Sequence, residues 1–325
     1  FSHYKFYKNY YNHLLMANVY FSPILGTISK TAEQVIKNLV ESENIKLSPD
    51  LLIKIHPGAI GNTAYNKPQD YQDLFEYLKS KSLNPSYVET CMESSTSQGK
   101  LKEFHEHGFN QFPILIADGD NGNQHVQIFY PEFKHLKYAL IAEKLANANQ
   151  VLVLSHFKGH CMSGFGGAIK NLGIGFASAN GKTLVHGIKD HFDQGDFADW
   201  DKAHLEGQSP KWVHNWDNQV LSSGSNFNER VAESALAAAR GKSHIYVNFA
   251  INLVNNCDCD CVPLTPVYEN LGILSSTDPV AVDKATFDLL EKQVGESPFE
   301  GSEIFEYAQK IGLGSIQYQL IQLNK

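Results

Sequence analysis

The sequence that decides the fold is at residues 151–188, which read VLVLSHFKGHCMSGFGGAIKNLGIGFASANGKTLVHGI. Val151 to Leu154 is a β-branched and aliphatic run that predicts a buried strand. Two histidines, a lysine, a cysteine and several glycines follow it, and Ala168 to Leu172 then predicts the first turn of a helix. A buried strand presents polar side chains to a pocket only at its end. We therefore expect a ligand site where this strand gives way to the helix.

Outward from this stretch, short apolar runs alternate with amphipathic helical patterns. The remaining predicted strands are 17–21, 51–55, 86–89, 113–117, 245–251, 271–274 and 316–323. The predicted helices are 31–42, 68–81, 100–107, 136–148, 228–240, 279–291 and 302–310. This alternation predicts an α/β fold with mixed or mostly parallel sheets, helices on both faces and two packed lobes.

The predicted organisation has three parts and one insertion. Residues 1–15, rich in aromatic side chains, are interpreted as an N-terminal extension or tail. Residues 16–149 form the first α/β lobe, and residues 150–325 form the second lobe, which carries the SHFKGH and GFGGAIKN segments. Within it, residues 189–227 have no clear period and contain all three tryptophans, which predicts an irregular insertion that packs on another part of the protein.

Composition excludes several functional classes. The net charge is -8 and the pI is near 5.9, which argues against nucleic-acid partners and anionic membrane surfaces. Apolar runs are far shorter than the roughly 20 residues that cross a bilayer, so we expect no membrane insertion. The five cysteines are odd in number and three are crowded together, so no disulfide framework is evident. Crowded thiols favour a reducing compartment or a metal, and the expected location is cytoplasmic.

The sequence CDCDC at residues 257–261 is the candidate metal site. In an extended segment Cys257, Cys259 and Cys261 project to one face, with Asp258 and Asp260 on the other. Three thiolates on one face suit zinc or part of an iron–sulfur cluster. The usual C-x-x-C spacing is absent, so a redox-sensitive, unmetallated thiol group remains an alternative. The expected cofactor is a metal ion or iron–sulfur cluster, with iron or zinc favoured.

Histidines, lysines and glycines complete the candidate site. The candidate catalytic residues are His156, Lys158, His160 and His186. The candidate anion-binding residues are Gly166, Gly167, Lys170 and Lys182. The alternatives are histidines that only hydrogen-bond to the backbone and lysines on a solvated surface. GFASANGKT at 175–183 is not a P-loop. Five residues separate Gly175 from Gly181, whereas the nucleotide-binding motif has four residues between these glycines.

The pattern SHFKGH-x-x-x-GFGGAIKNLGIG-x-AS-x-x-GK-x-x-x-H resembles the signature of the DUF362 family. The resemblance extends to CDC at 257–259 and LGILSSTDPVAVDKA at 271–285, and more loosely to IKIHPGAIGN at 53–62 and ILIADGDNG at 114–122. It implies an iron–sulfur-associated protein of unassigned activity. Many members of that family carry a ferredoxin-like insertion with two C-x-x-C runs after the position of His186. Residues 187–230 contain no cysteine, so this chain resembles a member without that insertion.

Three functional hypotheses follow. The first is a metal- or cluster-dependent redox enzyme that acts on a small anionic molecule in a cleft between the lobes. The second is a non-catalytic binding or assembly module whose site has decayed. The third is an isomerase or racemase that uses histidine and lysine for proton or hydride movement. The expected partners are a small anion and either a second copy of the chain or a redox protein.

Overall fold

The computed structural model describes residues 16–92, 96–186 and 225–323. Its strands, numbered in chain order, are β1 (Ala17–Ser22), β2 (Leu52–Lys54), β3 (Ser86–Glu89), β4 (Ile114–Ile116), β5 (His125–Ile128), β6 (Ala139–Ala142), β7 (Val151–His156), β8 (Lys158–His160), β9 (Gly164–Gly166), β10 (Ile245–Ala250), β11 (Gly272–Ser276) and β12 (Tyr318–Gln322).

The helices follow the amphipathic segments of the sequence. They are α1 (Ile28–Ser42), α2 (Gln72–Ser80, preceded by a 3-10 turn at Pro68–Tyr71), α3 (Ser97–Glu106), α4 (Glu143–Asn147), α5 (Ala168–Gly173), α6 (Ala179–Val185), α7 (Ser225–Ala239), α8 (Pro279–Val294) and α9 (Ile304–Lys310). Helix α8 shows why the boundaries can be predicted. Asp278 accepts the backbone N–H groups of Val280 and Ala281, and Gly295 ends the helix in the left-handed region.

The main sheet has the strand order β12-β1-β11-β10-β7-β2-β3-β4 among the described residues. Strands β10, β7, β2, β3 and β4 are parallel, whereas β11 is antiparallel to both of its neighbours. The predicted α/β class with a mixed, mostly parallel sheet is therefore confirmed.

Strand β7 lies in the middle of this sheet and is buried along its whole length. Its side chains alternate between two hydrophobic clusters. Val151 and Val153 pack with α7 and α8 on one face, and Leu152 and Leu154 pack with α1 on the other. Because helices cover both faces, the strand is apolar at successive positions.

Both halves of the sequence contribute to the one main sheet. Strand β1 pairs with β11 and β12, and β2 pairs with β7. The predicted division between residues 149 and 150 therefore does not separate two sheets.

The predicted helix at 136–148 is wrong over most of its length. Residues Ala139–Ala142 form β6, which is buried at all four positions and pairs antiparallel with β5. Only Glu143–Asn147 is helical. The apolar residues of this segment fit the helical period. In the structure, however, the buried backbone N–H and C=O groups of β6 form hydrogen bonds with β5, so the segment is a strand.

Two predicted segments fall wholly or largely outside the described residues. They are the tail at 1–15 and the insertion at 189–227, of which only the last residues belong to α7. None of the helices that the structure describes has the length and apolar character needed to cross a membrane.

Candidate metal and anion site

A cavity of about 240 Å³ lies at the carboxyl ends of β2, β3 and β7. Ligands commonly bind at this edge of a parallel sheet. Ten of the predicted site residues line it: His156, Lys158, His160, Gly166, Gly167, Lys170, Lys182, His186, Cys257 and Cys259. Cys261, the eleventh, is exposed and is not part of the lining.

The CDCDC segment is a turn, so the expectation of an extended segment is wrong. The N–H of Asp260 donates to the carbonyl of Cys257 at 3.1 Å. The Asn62 side chain donates to the carbonyls of Cys257 and Asp260 at 3.4 and 3.0 Å, which ties the turn to the loop after β2. The turn directs Cys257 and Cys259 into the cavity and leaves Cys261 at the surface.

His160, Cys257 and Cys259 form a group of possible metal ligands. One donor atom from each lies within 4.8 Å of the other two. His160 is brought there by β8, which passes directly against the backbone before the turn. The N–H of Gly159 donates to the carbonyl of Val254 at 2.7 Å, and a Cβ at this glycine would lie 2.7 Å from the carbonyl carbon of Asn255. Glycine is therefore required for the approach.

The two sulfur atoms differ in charge. A hydrogen bond from Cys259 and the nearby Lys170 ammonium hold the pKa of Cys257 well below its usual range, against the opposing effect of burial. The same hydrogen bond and burial raise the pKa of Cys259 well above its usual range. The backbone N–H of Cys259 also points at the Cys257 sulfur, at 3.4 Å. Cys257 is therefore the thiolate of the pair.

His160 is neutral at physiological pH. Burial, together with the Lys170 charge, lowers the pKa of His160 to about 4. Its Nδ1 accepts the backbone N–H groups of Met162 and Ser163, both at 3.2 Å. These two bonds place the ring hydrogen on Nε2, which leaves Nε2 to face the thiols.

His156 and Lys158 of the cavity lining form a buried ionic network with Asp258, which lies behind them. The carboxylate of Asp258 lies 2.9 and 3.0 Å from Nδ1 of His156 and 2.5 Å from Nζ of Lys158. Nε2 of His156 faces the carbonyl of Ile251 at 2.8 Å, so both ring nitrogens must donate. Burial opposes ionisation, but the two cations hold the pKa of Asp258 well below its usual range. His156 consequently has no lone pair for a metal.

The remaining candidate residues differ in how completely they are bonded. The ammonium of Lys182 donates to the hydroxyl of Thr90 at 2.6 Å, to the carbonyl of Ala177 at 3.2 Å and to the carbonyl of Cys91, which uses all three hydrogens. His186 donates through Nδ1 to the carbonyl of Lys182 at 2.7 Å. Lys170, by contrast, has no hydrogen-bond or ion-pair partner among the described residues.

The amino end of α5 is closed by a residue that sequence reasoning did not select. Asp283 of α8 accepts the N–H groups of Ala168 and Ile169 at 2.7 and 2.8 Å. A Cβ at Gly167 would lie 2.8 Å from the carboxyl carbon of Asp283. The glycine therefore allows a protein carboxylate, rather than a ligand, to approach the start of the helix.

The sequence model of the family described as domain of unknown function DUF362 matches residues 51–288. The chain belongs to the DUF362 family. The matched region includes both cysteines of the metal group, the β7–α6 stretch and Asp283. The resemblance predicted from the sequence is therefore confirmed.

Comparison with solved structures finds partial similarity. The lactate racemase apoprotein from Thermoanaerobacterium thermosaccharolyticum is 12% identical with a TM-score of 0.44, and 73% of this DUF362 chain covers 51% of that chain. A Thermotoga maritima protein solved by the Northeast Structural Genomics Consortium is 11% identical with a TM-score of 0.45. The match covers 83% of this chain and 58% of the Thermotoga chain. This chain therefore spans little more than half of either protein. Comparison with curated proteins finds no match.

Several cavity residues of this DUF362 chain were missed in the sequence. Lys54, Glu89 and Lys100 line the same cavity and are almost fully buried. A lysine inside the apolar run LLIKI and a glutamate at the end of SYVE were the available signals. Each is a charged residue in or at the end of a predicted buried strand, where a partner or ligand is required.

Proposed function

We propose that this protein is a metal-dependent enzyme that binds one zinc or iron ion through His160, Cys257 and Cys259 and acts on a small anion in the adjoining cavity. The observation that carries the proposal is the convergence of these three donor atoms within 4.8 Å at the cavity wall. The protonation states of His160 and Cys257 support it, because a neutral imidazole and a thiolate are the forms that ligate metals. Cys259, whose pKa is raised in the metal-free site, would release its proton when the ion binds.

The donor set favours a single ion over an iron–sulfur cluster. Bonds of about 2.0–2.3 Å to a tetrahedral ion hold its donor atoms roughly 3.3–3.8 Å apart. The three donor atoms, which lie within 4.8 Å of one another, would move together by up to about 1–1.5 Å on binding the ion. Clusters of two or four irons usually take four cysteines, whereas this group has two.

Three protein ligands leave one position for substrate or water, as in catalytic metal sites. A bound ion would supply a Lewis acid there, or an electron acceptor if the ion is iron. The unpaired ammonium of Lys170 lies beside the thiolate and would hold the anion toward the sulfur end of the cavity. The network of Asp258 with His156 and Lys158 fixes the turn that carries both cysteines.

The redox part of the proposal depends on the metal. Zinc has no second accessible oxidation state, so a reaction in which the metal itself accepts or donates electrons requires iron. The isomerase or racemase hypothesis is less well supported, because His156 and Lys158 are both bonded to Asp258 and neither offers a free base.

A metal-free thiol function is the second candidate, and the hydrogen bonds of His160 favour it. With Nδ1 accepting two backbone N–H groups, Nε2 carries the hydrogen and donates toward the Cys257 thiolate. Ligation through Nε2 requires that hydrogen to be displaced. Without a metal, the same three residues make Cys257 a nucleophilic thiol.

Metal analysis of anaerobically purified protein distinguishes the two candidates. We expect about one equivalent of iron or zinc in the wild-type protein and in Cys261→Ser, and less than about a tenth of an equivalent in Cys259→Ser. Cys261 is the matched control because it is the same residue type two positions along the chain. Wild-type protein without metal, even after reconstitution, would contradict the metal proposal; rapid alkylation of Cys257 would then support the thiol function.

A further inference from the structure

A second polar group lies in the same cavity, at the ends of β2 and β3. It consists of Lys54, Glu89 and Lys100, with His56 beside them. The exposed fractions of the first three are 1%, 3% and 2%. Charged side chains at this depth are stable only when their hydrogen-bonding groups have partners. The partners of each atom therefore indicate whether the group is complete.

Glu89 is only half satisfied. Its Oε1 accepts the N–H of Thr90 at 2.9 Å and lies 2.9 Å from Nζ of Lys54. Its Oε2 is buried and has no hydrogen-bond partner within the described part of the chain. Nδ1 of His56 lies 3.6 Å from Oε2, beyond hydrogen-bonding distance, and Nε2 of His56 is buried without a partner as well.

The two lysines are also incompletely bonded. Lys100 donates to Glu103 at 2.7 Å, and Lys54 pairs with Glu89. Neither ammonium has another acceptor among the residues that the structure describes, although each carries three hydrogens. Lys182, buried in the same cavity, shows the contrast because all three of its hydrogens have acceptors. Lys54 and Lys100 are therefore less completely bonded than Lys182, although all three are buried to a similar degree.

The missing partners define a ligand. Two ammonium groups require acceptor oxygens, and Oε2 of Glu89 requires a hydrogen-bond donor. Burial opposes ionisation of Glu89, but Lys54 and His56 hold its pKa well below the usual range, so Oε2 remains an acceptor at neutral pH. An oxyanion without a hydrogen would place a negative oxygen against this carboxylate.

We infer that Lys54, Glu89 and Lys100 form a subsite for a small oxyanion that keeps one hydroxyl hydrogen, of which hydrogen phosphate is the simplest. Its oxygens accept from the two lysines and its O–H donates to Oε2 of Glu89. The inference rests on the proposed function only in taking this cavity as the one that receives the substrate. Sulfate, which has the same shape but no hydrogen at neutral pH, is rejected.

The test compares phosphate and sulfate binding at pH 7 by isothermal titration calorimetry. Metal-free wild-type protein and the Cys257→Ser/Cys259→Ser variant are both titrated, so that the sulfur site cannot account for the result. We expect both forms to bind phosphate at least about tenfold more tightly than sulfate. Phosphate makes a charge-assisted hydrogen bond to Oε2 of Glu89, whereas a sulfate oxygen at the same position is repelled by the carboxylate.

Two substitutions assign the effect to these residues. The amide of Glu89→Gln can donate a hydrogen bond to sulfate. We therefore expect this variant to bind phosphate and sulfate with about equal affinity. Lys100→Met is expected to weaken phosphate binding about tenfold, since one charge-assisted hydrogen bond is lost. Lys102→Met is the matched control on the same helix, because Lys102 is 65% exposed. Circular dichroism establishes that each variant is folded.

Equal affinity of the wild-type protein for phosphate and sulfate would overturn the inference, and this comparison needs no variant. Failure of phosphate to bind at concentrations up to about 10 mM would overturn it too. Phosphate binding that disappears in Cys257→Ser/Cys259→Ser would place the anion at the sulfur site instead, and the proposed metal function would stand.

Discussion

At the scale of single residues, Asp258 neutralises two buried side chains of the site, although it is not one of the proposed metal ligands. Its carboxylate is 1% exposed and is bonded to two buried cationic groups, His156 and Lys158. Removing one partner of a buried ion pair leaves an uncompensated charge, which usually costs more than the pair itself contributes.

We predict that Asp258→Asn lowers the free energy of unfolding by about 3–5 kcal/mol, because two buried cations lose their carboxylate. Asp260→Asn is the matched control and is expected to change it by less than about 0.5 kcal/mol, since the Asp260 carboxylate has no ion pair in the described structure. Urea unfolding measures both. Similar effects of the two substitutions would show that the network does not stabilise the turn.

The sequence identified most of the cavity lining but not how the residues are bonded. His160, Cys257 and Cys259 were candidate residues, yet Asp258 was expected on the face opposite the thiols. That expectation assumed an extended CDCDC segment. The turn depends on Asn62, 195 residues before Cys257, so local spacing alone did not reveal it.

At the scale of secondary structure, α5 is fixed by its contact with α8. Asp283 accepts the first two N–H groups of α5, and it also accepts the side chain of Asn248 from β10 at 2.7 Å. One buried carboxylate thus joins two helices and the central sheet. Burial raises the pKa of Asp283 to about 6 against these hydrogen bonds.

We predict that Gly167→Ala destabilises the protein by about 2–3 kcal/mol, because the added methyl group displaces the Asp283 carboxylate and breaks the cap. Gly166→Ala is the control, since its Cβ would meet only Cδ of Lys170 at 3.5 Å, and we expect a change below about 1 kcal/mol. Thermal unfolding compares the two. Equal shifts in Tm would mean that Asp283 does not cap α5.

Elements were predictable where local signals and tertiary contacts agree. Helix α8 and strand β7 are examples, and both were predicted within a few residues. Strand β6 was not, because the helical period of 136–148 competes with pairing to β5, a contact that periodicity does not report.

At the scale of the whole molecule, the single sheet explains how distant segments reach one cavity. Parallel strands from residues 52–116 lie next to β7 and β10, so their carboxyl ends meet. The alternation of strands and helices in the sequence predicted a mostly parallel sheet. It did not predict the order of the strands, in which both halves of the chain contribute to one sheet.

The pH dependence of unfolding reports on buried neutral histidines. Burial lowers the pKa of His244 to about 4; its Nδ1 accepts the N–H of Val151 and its Nε2 donates to the carbonyl of Ala238. In the unfolded chain the pKa is about 6.5. Between pH 4 and pH 6.5 the unfolded state binds more protons at this histidine than the folded state does. The stability that His244 contributes is therefore fully present above pH 6.5 and is lost as the pH falls toward 4.

We therefore predict that wild-type protein loses up to about 3 kcal/mol more stability than His244→Asn between pH 6.5 and pH 4. The difference between the two proteins isolates His244 from Asp283, whose raised pKa acts in the opposite direction. Urea unfolding at several pH values measures it. Parallel stability curves for the two proteins would contradict the prediction.

The central claim is that His160, Cys257 and Cys259 hold one metal ion. X-ray absorption spectroscopy at the metal edge of the purified protein tests it most directly. The structure predicts two sulfur ligands at about 2.3 Å and one nitrogen at about 2.0–2.1 Å in the wild-type protein, and the same ligand shell in Cys261→Ser. A shell of three or four sulfur atoms, or one without sulfur, would contradict this assignment.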